Sequence, residues 1–286
     1  MSAAVALLEP QHQPQGIAPD AGHLRDLPAG LYHKHEALSA SGAKKLLRSP
    51  AHYLLMRTQP SVPTEAMRFG TAVHAAVLEP DTFADAVVQA PDINRRTTAG
   101  RAEHEAFQQA NAGKVVLSAD DMMRVYRCVN AVHMHPAASK LLTGGEVEGS
   151  LFWVDGEYRI PCKARFDKFN HGGMVDLKTC QDASQDGFGR AAASLLYHVQ
   201  NAMYIEGAEA VLNETPRFFS FVCVEVEPPH CVAVYVLPTA AVLAGRHLLR
   251  IAMERYAECS ASGKWEGYPD TIEMLDFPKW ALRFGA

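Results

Sequence analysis

Residues 162–180, "CKARFDKFNHGGMVDLKTC", carry two carboxylates and an ammonium at spacings that could do chemistry. Along a strand, side chains at i and i+2 share a face. Asp176 and Lys178 therefore stand side by side, while Val175 and Leu177 point into a core. Asp167 lies on the preceding strand, and a Gly172-Gly173 turn between the two strands lets an antiparallel hairpin bring it beside Asp176. Two neighbouring carboxylates repel when both are ionised, and a divalent cation between them removes that cost. Hard oxygen ligands favour magnesium or manganese over zinc. Lys178 beside such an ion could orient or deprotonate a water, or stabilise an anionic transition state. The metal could activate water and neutralise a phosphodiester oxygen. The plainer reading of Asp-x-Lys is a surface salt bridge on a strand; Asp167 at the matching hairpin position is what argues for more.

The elements that must position these groups follow from periodicity and punctuation. "LSASGAKKLLRSPAHYLLMR" (38–57) predicts two short helices, the first capped by Ser39 or Ser41 and the second by Ser49 followed by Pro50. A third helix spans 64–80, with Thr64 as cap, Pro80 as stop and His74 within it. Residues 89–100 form a loop containing Arg95 and Arg96, read as solvated. "RAEHEAFQQANA" is helical, and Ser118 caps a helix over 118–135 whose first turn carries acids suited to its dipole. The texture then changes to alternation broken by turns, giving three consecutive antiparallel strands over 146–180. A long helix is expected over 188–213, strands over 217–227 and 231–238, and a helix from about 239 to 260. The aromatic tail packs on the body. Strands in one block with flanking helices give an α/β fold, a central mixed sheet covered by helices.

Composition narrows the class without choosing a function. At 286 residues and 48% hydrophobic content, the chain can bury one large core with appendages. Residues 1–28 lack periodicity and read as a flexible tail without the basic region of a signal peptide. Residues 29–286 then form a single domain, mainly helical over 29–145, with sheet and C-terminal helices over 146–286. No apolar run reaches membrane-spanning length. The formal net charge of −5 speaks mildly against a protein that coats DNA, but not against an enzyme that grips it locally. The six cysteines have neither CxxC nor zinc spacing, which points to buried reduced thiols and a cytoplasmic setting. His33 with His35, and His133 with His135, diverge at i and i+2 on a helix and make no zinc site. Trp153 and Trp265 read as packing residues.

The order D-x8-D-L-K resembles the PD-(D/E)xK nuclease superfamily. In detail the chain resembles its RecE-type, exodeoxyribonuclease VIII-like branch, related to RecB nuclease domains and lambda exonuclease, from about residue 30 to the end. The parts are "LYHKHEALSASGAKKLLRSPAHYLL", "FGTAVHAAVLEP" with Gly70 and His74, "VEGSLFW" with Glu148, "CKARFDKF", "VDLKT", "YHVQNAMYIEGA" with Gln200 and Tyr204, and "WEGYPDTIEMLDFPKWA". The second acid is Asp where other branches use Glu.

The resemblance implies a restriction-endonuclease-like core with an N-terminal helical part. Asp167 and Asp176 would bind Mg2+ or Mn2+, with the Leu177 carbonyl and His74 as further ligands. Lys178 would be the catalytic lysine, with Gln200 contacting DNA or that lysine, and Tyr204 and Glu148 as accessory residues. The implied activity is hydrolysis of linear double-stranded DNA from its ends, 5′ to 3′, in a ring-forming homo-oligomer. The implied partner is a single-strand annealing protein in recombination, in phage or prophage and within the cytoplasm of a bacterial host. An iron–sulfur cluster is not expected, because Cys259 alone lies near the C-terminus. Two alternatives remain: a RecB-like or CRISPR-associated type of nuclease, of other polarity or endonucleolytic, and a non-catalytic DNA-binding scaffold with the same fold.

Overall fold

The structure, a computed structural model, describes residues 21–59 and 62–277. Its helices are α1 (Ala29–Lys34), α2 (Ala40–Arg48), α3 (Pro50–Thr58), α4 (Glu65–Leu78), α5 (Phe83–Ala86), α6 (Thr98–Ala110), α7 (Ala119–Met134), α8 (Pro136–Leu142), α9 (Gln185–Ser194), α10 (Tyr197–Leu212) and α11 (Thr239–Ser262). Its strands are β1 (Gly22–Leu24), β2 (Val87–Gln89), β3 (Val115–Leu117), β4 (Glu146–Val147), β5 (Ser150–Val154), β6 (Pro161–Arg165), β7 (Lys168–Asn170), β8 (Gly173–Cys180), β9 (Phe219–Glu225) and β10 (Val232–Val236). The expected caps are made: Ser39, Ser49, Thr64 and Ser118 each accept from a backbone N–H in the first turn of α2, α3, α4 and α7.

A five-stranded mixed sheet, ordered β10-β9-β8-β7-β4, forms the centre. Only its β8–β9 pair is parallel. The pleat sends Phe219, Phe221 and Cys223 of β9 into one core, shared with α2, α10 and α11. Val222 and Val224 enter a second core with Val175 and Leu177 of β8 and the apolar faces of α4 and α7. Helices thus cover both faces, as a restriction-endonuclease-like α/β core requires. Six described cysteines are all free, and only Cys231 is exposed. No helix among the described residues is long and apolar enough to cross a membrane.

Three features differ from the sequence reading. Residues 22–24, inside the stretch read as a tail, form β1 and pair with β5, while residues 1–20 lie outside those described. The expected helix over 188–213 is two helices: Leu196 adopts a left-handed backbone (φ 52°) and separates α9 from α10. The glycine turn is shifted by one residue. His171 and Gly172 carry the positive φ angles (52° and 73°) of a two-residue hairpin loop. Gly173 is the first residue of β8, where a Cβ would lie 2.5 Å from the Phe218 ring.

The hairpin of residues 146–170 is more unusual. Ser150 pairs with Arg165 and Val147 with Lys168, a single unbroken register. The pairing continues across the gap, with Glu148 N–H donating to Asp167 O (3.1 Å) and Phe166 N–H to Gly149 O (3.1 Å). Yet β5–β6 belong to a separate three-stranded sheet with β1, and β4–β7 to the central one. One hairpin therefore bends from sheet to sheet at residues 148–149 and 166–167. Glu148 takes the strain with φ 54°, a conformation rare for a non-glycine residue. Gly149 lets the bend close, because a Cβ there would sit 2.1 Å from Phe166 Cζ. Gly149→Ala is expected to destabilise the fold by about 1–3 kcal/mol through overpacking. Urea unfolding measures this, and an unchanged midpoint would show that the bend tolerates a methyl group.

Candidate active site

The bend projects Glu148 and Asp167 toward α4. Gly70 lets that helix approach the end of β8, where a Cβ on it would come within 3.2 Å of Thr179 Oγ1. One turn further, His74 faces the same way. Its Nε2 lies 2.8 Å from Asp167 Oδ2 and its Nδ1 3.3 Å from Glu148 Oε1. Asp167 Oδ2 also accepts from the Leu177 backbone N–H at 2.7 Å. Arg165 Nε pairs with Glu148 Oε2. One ligand atom from each of His74, Glu148 and Asp167 falls within 4.8 Å of the others, so all three can converge on one ion.

Asp176 and Lys178 share a face of β8, as the pleat requires, and their charged groups form an ion pair. Asp176 is almost completely buried (1% exposed), and its Oδ1 accepts from Gln200 Nε2 at 2.5 Å. Gln200 enters from α10, and its Oε1 accepts from Lys44 Nζ of α2 at 3.4 Å. The ammonium groups of Lys44 and Lys178 lie 5.0 and 5.1 Å from the centre of the Tyr197 ring. Continuing the β7–β8 register by one residue places Asp167 opposite Asp176. Asp176 thus adjoins the His74–Glu148–Asp167 cluster without belonging to it, its carboxylate taken up by Lys178 and Gln200.

Charge compensation sets the protonation states. Burial alone would lower the pKa of His74, but the Asp167 and Glu148 carboxylates outweigh it and raise it to about 9. Burial would raise that of Asp167; the His74 charge, its hydrogen bond and Lys178 hold it below the usual range. Burial dominates at Asp176, whose carboxyl is pushed up to about 6 despite Lys178. Burial also opposes charge on Lys178, yet Asp176 and Asp167 raise its pKa above the ordinary lysine value. A protonated His74 would bridge the two acids, Asp167 and Glu148, where a metal would otherwise bind. One nitrogen and two carboxylate oxygens, converging and compensated by a displaceable proton, fit a divalent cation.

His74, Glu148, Asp167 and Lys178 line a cavity of about 1480 Å³, together with Leu177, Thr179, Tyr197 and Tyr204, with Asp176 buried behind them. The Tyr204 ring packs against Phe219 (5.9 Å), and burial drives its pKa well above the ordinary phenol value. The lining also includes Tyr32, His33 and Arg165, and the buried Lys163, whose ammonium donates to the Tyr32 and His35 carbonyls. Arg95 and Arg96 stay exposed. Trp153 is buried in the core, and Trp265 stacks on Tyr53 at 5.3 Å. Sequence reasoning missed Lys44, Tyr197 and Arg165. Each lies inside a quoted motif, but only the fold brings it to the site.

A mixed sheet covered on both faces, with an acid–acid–lysine set where two strands meet, defines a protein of the PD-(D/E)xK nuclease class. The chain belongs to the family described as PDDEXK-like domain of unknown function (DUF3799), whose model matches residues 39–278. Among solved structures, a protein from Eubacterium rectale provisionally assigned as an exonuclease is similar in fold. Its identity is 13% and its TM-score 0.56, over 91% of this chain and 97% of that one. The protein SSO0001 aligns over 64% of this chain and 84% of its own at 15% identity, with a TM-score of 0.26 that carries no weight. No curated protein matches.

The His74 proton yields a pH prediction. The folded-state pKa is raised from 6.5 to about 9, so its stabilisation is complete below pH 6.5 and disappears as the pH rises through 9. With EDTA present, the thermal midpoint of the wild type should fall across that window, and His74→Asn should flatten the fall. Because Mn2+ must displace the proton, its affinity should rise with pH over the same range in calorimetric titration. A pH-independent affinity would show that His74 carries no proton there.

Proposed function

We propose that this chain is a metal-dependent exodeoxyribonuclease that hydrolyses linear double-stranded DNA from its ends. The observation that carries the reading is the meeting of Asp167 and His74 with Lys178 in the lining of one cavity, Lys178 being paired to the buried Asp176. Asp167, His74 and Glu148 would hold the ion, with Asp176 and the Leu177 carbonyl as the ligands implied by family resemblance. Bound there, a divalent cation such as Mg2+ or Mn2+ supplies an activated water and neutralises charge on the phosphodiester. Lys178, kept charged between carboxylates, donates to the oxygen that gains charge. Gln200 holds Asp176 in place and Tyr204 walls the substrate side. Lys163 and Arg165 in the lining would add positive potential for a phosphate backbone.

End dependence and 5′ to 3′ polarity are supported by the RecE-type motif order. The similarity to a structure bearing an exonuclease assignment accords with end dependence. The same resemblance supports a ring-forming homo-oligomer and cooperation with a single-strand annealing protein in recombination. The assay offers purified protein and Mg2+ with linear duplex, nicked and covalently closed circles, and single strands. Loss of linear duplex alone is expected, and cleavage of closed circles would favour an endonuclease. Lys178→Ala should lower the rate by at least about 100-fold while leaving Mn2+ binding intact. Asp167→Ala should lose both. Activity that survives either substitution would move the active site elsewhere.

A further inference from the structure

Lys44 is not among the residues that the acid–acid–lysine motif singles out. It projects from α2, a helix fixed by its Ser39 cap and by Ala43 and Leu46, both fully buried. Among the described residues, no carboxylate lies within ion-pair distance of its ammonium. Its partners are Gln200 Oε1 at 3.4 Å and the Tyr197 ring at 5.0 Å. The other end of the same amide donates to Asp176 Oδ1 at 2.5 Å, and Asp176 pairs with Lys178. A chain of four polar groups thus runs Lys44, Gln200, Asp176, Lys178.

The direction of that chain is fixed by chemistry. An ammonium group only donates, an ionised carboxylate only accepts, and a glutamine amide does one at each end. With Lys44 on one side, only one orientation of the Gln200 amide satisfies both neighbours. Without it, the amide oxygen loses its donor, and the group is held at the Asp176 end alone and can swing away from that carboxylate. We propose that Lys44 is a positioning residue of this active site, which locks the Gln200 amide toward Asp176 and so holds that carboxylate and Lys178 in register with Asp167. The effect on catalysis rests on the nuclease reading above; the lock itself does not. Burial and the nearby Lys178 charge push the Lys44 pKa down to about 8. A half-buried ammonium without a carboxylate partner adds little to stability. The Tyr197 ring, within 5.1 Å of both ammonium groups, keeps these like charges in one place.

The test is a double-mutant cycle of Lys44→Met and Gln200→Ala, with duplex cleavage as one readout and the Gln200 side-chain amide resonance in glutamine-labelled protein as the other. In the wild type the two amide protons should be widely separated by the bond to a carboxylate. In Lys44→Met they should move toward free glutamine, with an unfolding midpoint close to that of the wild type. The kcat of Lys44→Met should fall about 10- to 100-fold with KM nearly constant, and the substitution should cost nothing further in Gln200→Ala. Lys44→Arg, which still donates, should retain most activity and covers a failure of the methionine variant to fold. An equal loss in both backgrounds, or an unmoved amide resonance, overturns the proposal. If the amide depends on Lys44 while the wild type cuts no DNA, the lock stands and the nuclease reading falls.

Discussion

Mutual repulsion of carboxylates in a poorly solvated space is the constraint around which this molecule is arranged. Glu148 and Asp167 converge with His74, Asp176 stands opposite Asp167 on the neighbouring strand, and Asp176 is almost wholly buried. Ionised together they are tolerable only with positive charge between them. Arg165 and Lys178 balance two of them, and His74 must hold a proton to balance the third. Exchange of that proton for a dication would turn a neutral cluster into one with surplus positive charge. A phosphodiester arriving in the cavity would meet that surplus, so the arrangement is poised for a metal and an anion together.

The fold holds this tension through a few close approaches. A hairpin in a single register bends between two sheets, and the bend is where Glu148 and Asp167 stand. Gly149 admits Phe166 beneath it, and Gly70 admits Thr179, so α4 can bring His74 over the acids. The central sheet, with helices on both sides, fixes β8 from each face. The strain lies at Glu148, the residue whose carboxylate would otherwise point along a strand edge.

The parts legible in the sequence are those governed by short-range rules. Strand periodicity put Asp176 and Lys178 on one face and Val175 and Leu177 in the core. Cap residues marked α2, α3, α4 and α7. The division of the hairpin between two sheets was not legible, because its register never breaks and Glu148 gives no local sign of a positive φ. The end of α9 was equally hidden, since Leu195-Leu196 contains neither Gly nor Pro. Lys44 and Gln200, 156 residues apart, meet only through packing of α2 on α10. Charge compensation among Glu148, His74 and Asp167 depends on distances that no spacing encodes.

The most direct measurement is anomalous diffraction at the manganese edge from crystals of the wild type grown with Mn2+. The account predicts a peak between the Asp167 carboxylate and the His74 imidazole, in contact with both, and its loss in Asp167→Ala. A peak remote from Asp167, or none at saturating Mn2+, would contradict it.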